Sequence, residues 1–261
     1  MKTAGSIAEQ PPGWVVLGTD TGVGKTFIGC GIVESLRARG YRLRVRKPVE
    51  TGCTSNGGER IPADATALWM AAGRIEPLET VCPLRFLAPL AAPLAARQEG
   101  TLLHFAEDLA PQLPTRAELR TPTTEPDKTR WLIESAGGLL SPLAEDALGL
   151  DLAQYTGLPV ILVAPDRLGT LSGLFAALEA LDRRHIRISA IILNRRPEDI
   201  QHPKEARLDN LGLIHTWLPR ILTHGPLPAV LTQDMPPRPG THFSEGIVAA
   251  LLGETSEPAD H

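Results

Sequence analysis

The stretch Trp14-Val-Val-Leu-Gly-Thr-Asp-Thr-Gly-Val-Gly-Lys-Thr26 decides how this chain is read. An apolar run of strand length enters a glycine-rich turn, and a helix is expected to open at Gly24-Lys25-Thr26. That order suits a phosphate group. Successive backbone N–H groups point into one concavity, and the helix N-terminus adds the positive end of its dipole. Gly22 and Gly24, with Val23 between them, let the backbone approach oxygen atoms closely. Lys25 is expected to reach the β- and γ-phosphates, and the Thr26 hydroxyl to bind Mg²⁺. The strict pattern asks for glycine where Thr19 stands; here the glycine lies one place earlier, at Gly18.

Outward from this loop, further apolar runs read as strands: Leu43 to Val45, Trp131 to Ile133, Val160 to Val163 and Ile188 to Leu193, with a weaker one at Leu211 to Leu218. Their β-branched content and length fit strands buried on both faces. Helical spacing marks Gly24 to Arg39, which stops at Gly40, and Asp64 to Ala72, which stops at Gly73. Leu171 to Arg184 and Phe243 to Leu252 read as helices too. Alternation of strand and helix predicts an α/β, P-loop NTPase-like fold with a mostly parallel sheet and helices on both faces. At 261 residues a single domain is expected, spanning 14–252 between flexible tails at 1–13 and 253–261. Leu113 to Lys128, rich in Pro, Thr and charge, reads as an exposed connection.

Composition narrows the function classes. A net charge of −4 argues against a nucleic-acid binder held by a basic face. No apolar stretch is long enough for a transmembrane helix, and the first residues carry no secretory pattern, so a cytoplasmic protein is expected. Cys30, Cys53 and Cys82 form no CxxC pair, which argues against a disulfide scaffold or a structural zinc site. Cys30 reads as a small buried apolar residue.

A second cluster, Arg44-Val-Arg-Lys47-Pro-Val-Glu-Thr51-Gly-Cys, follows a strand. The C-terminal ends of parallel strands line one crevice, so Lys47 is expected on the same rim as Lys25. Two lysines at one phosphate rim suit phosphoryl transfer, where positioning and charge neutralisation do most of the work. Glu134 ends the strand Trp131-Leu-Ile-Glu beside glycines and is placed for a metal. Asp64 reads on its own as a helix N-cap. Asn194, at a strand end, reads either as an adenine contact or as a turn residue.

Taken in order, these motifs resemble the dethiobiotin synthetases. The likeness is carried by Gly18-Thr-Asp-Thr-Gly-Val-Gly-Lys-Thr26, Lys47-Pro-Val-Glu-Thr-Gly52, Asp64 with its helix, Arg85-Phe-Leu-Ala-Pro89, Glu134-Ser-Ala-Gly-Gly138, Arg167-Leu-Gly-Thr170 and Ile191-Ile-Leu-Asn194. It covers residues 14 to 220 or so. The resemblance implies ATP- and Mg²⁺-dependent closure of a ureido ring from 7,8-diaminononanoate and CO₂, through a carbamate and a carbamic-phosphoric anhydride. It implies Lys25, Lys47 and Thr21 as catalytic groups, and Thr26, Asp64 and Glu134 around Mg²⁺. It gives Gly22, Val23, Gly24, Lys25, Thr26 and Asn194 to ATP, and Thr21 and Thr51 to the carbamate region. The substrate's far carboxylate would sit at Gly169, Thr170, Leu171 and Ser172, a helix end that comes from the partner subunit of a homodimer. The other reading of that segment is an ordinary helix capped by Thr170. The chain departs from the family at Gly22, often acidic there; at Ser135, often glycine; in the Ala-Pro-Leu-Ala-Ala-Pro segment, which lacks a common histidine; and at His215 to Pro219, near the expected adenine pocket.

Rival readings weigh less. A partner-positioning P-loop ATPase carries an extra lysine at the start of the loop, and Gly18 to Val23 has none. A corrin amidoligase carries a glutaminase domain, for which this chain is too short. A non-catalytic nucleotide-binding module does not call for two lysines and two carboxylates on one rim.

Overall fold

The computed structural model describes residues 10–120, 128–196, 209–235 and 243–254. The expected tails therefore fall largely on 1–9 and 255–261, and part of the expected connection on 121–127, outside the described residues. Along the chain come β1 (Gly13–Gly18), α1 (Lys25–Ala38), β2 (Arg42–Arg46), β3 (Val49–Thr51), β4 (Thr54–Asn56), β5 (Glu59–Ile61), α2 (Ala63–Ala71), α3 (Leu78–Val81), β6 (Leu84–Phe86) and α4 (Ala92–Gln98). After a π-helical turn at Phe105–Leu109 follow α5 (Arg116–Arg120), β7 (Thr129–Glu134), β8 (Pro142–Ala144), β9 (Ala147–Leu148), α6 (Asp151–Thr156) and β10 (Val160–Pro165). The described chain closes with α7 (Thr170–Arg183), β11 (Ile188–Arg195), α8 (Asn210–Ile221), β12 (Ala229–Asp234) and α9 (Glu245–Leu252).

Six strands form one sheet in the order β12-β11-β10-β1-β7-β2, every pairing parallel. Strand alternation sends side chains to two cores. Val15 and Leu17 join Trp131, Ile133, Leu162 and Leu193 on one face, under α4, α6, α7 and α8. Trp14 and Val16 join Leu132, Ile161, Val163 and Ile192 on the other, under α1, α2 and α9. Burial on both faces is why these strands read as unbroken apolar runs. The register Gly18↔Val163 and Pro165↔Asn194 brings the ends of β1, β10 and β11 to one rim, with the end of β7 beside them through Val16↔Glu134.

Five of the six expected strands are present. The sixth, Leu211 to Leu218, is instead part of helix α8. Ile214 and Leu218 are buried and Ile221 packs against the same core, a spacing of three to four that only a helix satisfies. Asp209 caps it by accepting from the Gly212 N–H at 2.8 Å. The strand beside β11 is β12, whose Ala-Val-Leu-Thr-Gln-Asp sequence carries too little apolar pattern to stand out. The helix stops at Gly40 and Gly73 hold, with φ of 83° and 80°. Gln10, at the start of the described chain, donates to the Leu252 carbonyl and accepts from Arg130. All three cysteines are free thiols, and burial pushes Cys30 and Cys82 up to about 12, which leaves them unreactive near neutral pH.

Candidate active site

The loop after β1 turns through Gly22 and Gly24, both with positive φ (73° and 93°), and delivers the chain into α1. At the mouth of this turn lies a cleft of about 320 Å³. Thr21, Gly22, Gly24, Lys25 and Thr26 line it from the loop, Lys47, Glu50 and Thr51 from the end of β2 and from β3, Asp64 from α2, and Met235 from beyond β12. The expectation that Lys25 and Lys47 share a rim is met. Thr21, Thr26, Thr51 and Asp64 line the same cleft.

The charges at its floor form one connected set. Lys47 is only 3% exposed, and its Nζ donates to Glu134 Oε1 at 2.6 Å and to Asp64 Oδ2 at 2.7 Å. Glu134 is fully buried, and the same Oε1 accepts from the Thr26 hydroxyl at 2.7 Å. Burial alone would pull Lys47 below its ordinary pKa, but the Glu134 and Asp64 carboxylates outweigh it and raise it, so the ammonium stays charged. For Asp64 the balance runs the other way: burial pushes its carboxyl up, and Lys47 overrides that and holds it down. Lys25, whose Nζ donates to the Asp20 carbonyl at 3.1 Å, is lowered by burial, partly offset by Glu134.

Asp64 is not the helix N-cap. Pro62 stands at that position, and the Asp64 side chain faces Lys47. The capping acceptor is Glu50, which takes the Asp64 and Ala65 N–H groups at 3.0 and 2.8 Å. Glu50 lay inside a quoted motif without a role, because nothing local links it to a helix so far along the chain.

Asn194 is fully buried. Its Nδ2 donates to the Val23 carbonyl at 2.9 Å and lies 3.6 Å from the Met235 sulfur, so it props the phosphate loop from beneath. Its Oδ1 is buried without a hydrogen-bond partner among the described residues. His215 to Pro219 lies within α8, away from this cleft; the residue that closes the cleft on the β12 side is Met235. Arg196 Nη1 donates to the Gly22 carbonyl at 3.1 Å, a contact between distant segments with no local signature.

Gly169 and Thr170 line a separate hollow of about 420 Å³, bordered by Thr19, Asp20, Arg167 and Leu168. Leu171 and Ser172 follow them on the first turn of α7. Thr170 does not cap this helix. Gly169 holds the cap position with φ 89°, and the Thr170 hydroxyl is buried without a partner among the described residues.

The donor set suits a divalent cation. Thr26, Asp64 and Glu134 offer hard oxygen ligands, two of the carboxylate oxygens already converge on the one Lys47 ammonium, and Glu134 Oε2 is buried with no partner. Among the described residues no cluster of three His, Cys, Asp or Glu forms a closed metal site, so phosphate oxygens and water would have to complete the shell.

A glycine-rich loop that opens a helix at the C-terminal edge of a parallel sheet, with two buried lysines over it, defines a P-loop phosphate-binding protein. A family model for an AAA domain matches residues 13–228. The ATP-dependent dethiobiotin synthetase of Rhodopirellula baltica is 35% identical over 256 residues, 93% of this chain and 92% of that protein. Those of Anaeromyxobacter dehalogenans (strain 2CP-C) and Phenylobacterium zucineum are 42% and 40% identical, over 72% and 70% of this chain and 78% and 75% of theirs. The chain belongs to the ATP-dependent dethiobiotin synthetase family. Among solved structures, the signal recognition particle receptor FtsY from Elizabethkingia anophelis aligns with a TM-score of 0.36 at 13% identity, over 72% of this chain and 51% of that one, too loosely to argue from.

Proposed function

We propose that this protein closes the ureido ring of dethiobiotin from 7,8-diaminononanoate, CO₂ and ATP, as a cytoplasmic homodimer. The observation that carries this reading is the convergence of Lys25, Thr26, Lys47 and Asp64 on one cleft over Glu134. One substrate amine adds to CO₂ and loses a proton, giving a carbamate. A carbamate oxygen attacks the γ-phosphorus, the bond to the β-phosphate oxygen breaks, and ADP leaves. The second amine attacks the carbamoyl carbon, the bond to the phosphate oxygen breaks, phosphate leaves with the electron pair, and the ring closes with loss of a proton.

The residues fit these steps. Carbamate and γ-phosphate are both anionic and repel each other until fixed cations hold them together. Lys25 rises from the loop beneath the phosphates, and Lys47 stands where the carbamate would meet them. Fixed charge aimed at developing charge is usually the largest catalytic contribution. Thr21 and Thr51 on the cleft wall supply hydroxyls to orient the carbamate. Met235 lines the cleft on the side where adenine would lie, and Asn194 would bear on the nucleotide through the loop it props. Mg²⁺, held by Thr26, Asp64 and Glu134, would supply charge neutralisation at the β- and γ-phosphates.

The carboxylate end of the diamine is assigned to Gly169, Thr170, Leu171 and Ser172 at the start of α7, where the positive end of the helix attracts an anion, although the Thr170 N–H itself donates to the Arg167 carbonyl at 3.3 Å. Within one chain that hollow adjoins the phosphate loop at Thr19 and Asp20 but shares no lining residue with the phosphate cleft, and Leu168 beside it is 69% exposed. Both facts favour a helix end offered to a second copy's cleft. Ser172→Glu puts a like charge beside the carboxylate and is expected to raise the KM for the diamine by at least about tenfold with kcat little changed. A KM equal to wild type would move the carboxylate site elsewhere.

The direct test of the activity is a coupled assay of ADP release with Mg²⁺ and bicarbonate, with and without the diamine, and with the product identified by mass spectrometry. Release that requires the diamine and yields dethiobiotin supports the reading. Release indifferent to the diamine returns a partner-positioning ATPase to first place.

A further inference from the structure

Glu50 has no step in the chemistry above, yet it is a carboxylate only 6% exposed in the wall of the cleft. Strand β3 sends Val49 into the core, and Glu50, its neighbour, to the opposite side. Helix α2 starts behind Pro62, which has no side-chain acceptor, so its first N–H groups need partners from elsewhere. Both oxygens of Glu50 meet that need, Oε1 for Asp64 and Oε2 for Ala65. The negative charge also complements the positive end of the helix.

The consequence lies in which residue is held. Asp64, whose N–H bonds Glu50, offers its own Oδ2 to Lys47 at 2.7 Å. The segment Lys47-Pro-Val-Glu50 thus grips α2 twice, through the backbone by Glu50 and through a side chain by Lys47. A slip of the helix by part of a turn would carry the Asp64 carboxylate out of line with Glu134. We infer that Glu50 is a positioning residue: by capping α2 it fixes Asp64 beside Glu134 and so sets the affinity of that oxygen cluster for its divalent cation. The inference rests on reading the cleft as a Mg²⁺–nucleotide site.

The test is binding of a non-hydrolysable ATP analogue during a Mg²⁺ titration, followed by calorimetry without the diamine. It compares wild type, Glu50→Ala, Glu50→Gln, Asp64→Ala and the Glu50→Ala/Asp64→Ala pair. Glu50→Ala is expected to raise the Mg²⁺ concentration for half-maximal effect by about 10- to 100-fold, the range typical of groups that orient a metal ligand. Glu50→Gln, which keeps one acceptor, raises it less. In the Asp64→Ala background the loss of Glu50 adds little, because its target is gone. An unshifted titration in folded Glu50→Ala protein overturns the proposal, as does a shift that persists undiminished without Asp64. If Glu50→Ala does not fold, the same comparison made with Glu50→Gln decides. A wild-type protein that binds the analogue with no response to Mg²⁺ would overturn the reading of the cleft itself, and the role of Glu50 with it.

Discussion

Lys47→Ala is expected to lower kcat by about 10²- to 10³-fold while nucleotide affinity stays within a few-fold of wild type. The Lys47 ammonium is buried between Glu134 and Asp64, which under the proposed function would face the transferring group, whereas Lys25 and the loop backbone would hold the rest of the triphosphate. The same substitution leaves the fully buried Glu134 without its cation. Removing one partner of a buried pair costs about 3–5 kcal/mol, so the unfolding midpoint should fall as well. Kinetics are therefore best compared well below that midpoint. Lys47→Arg keeps the charge and should fold closer to wild type, but its planar fork does not reproduce a point charge held by two carboxylates, so turnover should remain low. Steady-state ADP release and an independent nucleotide titration separate the two effects. Equal loss of turnover and affinity would place Lys47 in nucleotide binding instead.

The second large effect is expected at Gly24. Its φ of 93° lies where a side chain adds roughly 1–2 kcal/mol of strain, and a Cβ there would sit 2.1 Å from Asn194 Nδ2. Asn194 cannot step aside freely, being fully buried and bonded to the Val23 carbonyl of the same loop. The loop must move, and a displacement of about 1 Å at a reacting phosphate costs on the order of 10²-fold in kcat/KM. Gly22 is the control. It too has positive φ, at 73°, but a Cβ there meets nothing within 4 Å among the described residues. Gly22→Ala should cost about 5- to 30-fold, the backbone strain alone. Equal losses at the two glycines, measured as kcat/KM for ATP, would mean that contact with Asn194 does not shape the loop.

Much of this was legible in the sequence, for a physical reason. The phosphate loop works through backbone N–H groups, and its glycines, lysine and threonine must be contiguous, so the motif is written in one stretch. Strands buried on both faces declare themselves as apolar runs. Leu211 to Leu218 misled because a short apolar run with Trp and Ile does not separate strand from helix; the answer lay in Ile214 and Leu218 facing one core. Asp64 and Thr170 were each open to a capping role, and neither caps: Glu50 caps the helix of Asp64 from another strand, and Gly169 takes the cap position before Thr170. Contacts made by side chains from distant strands, such as Glu50 on α2 or Asn194 on Val23, leave no local pattern to read. Met235 entered the cleft unannounced because β12 carries little apolar periodicity.

The measurement that tests the central claim most directly is incubation with ATP, Mg²⁺, 7,8-diaminononanoate and ¹³C-labelled bicarbonate, with ADP and product counted by mass spectrometry. One ADP is expected for each dethiobiotin formed, with the label in its ring carbonyl, and almost no ADP when the diamine is left out. ADP formed at the same rate without the diamine, or a product without the label, would contradict that claim.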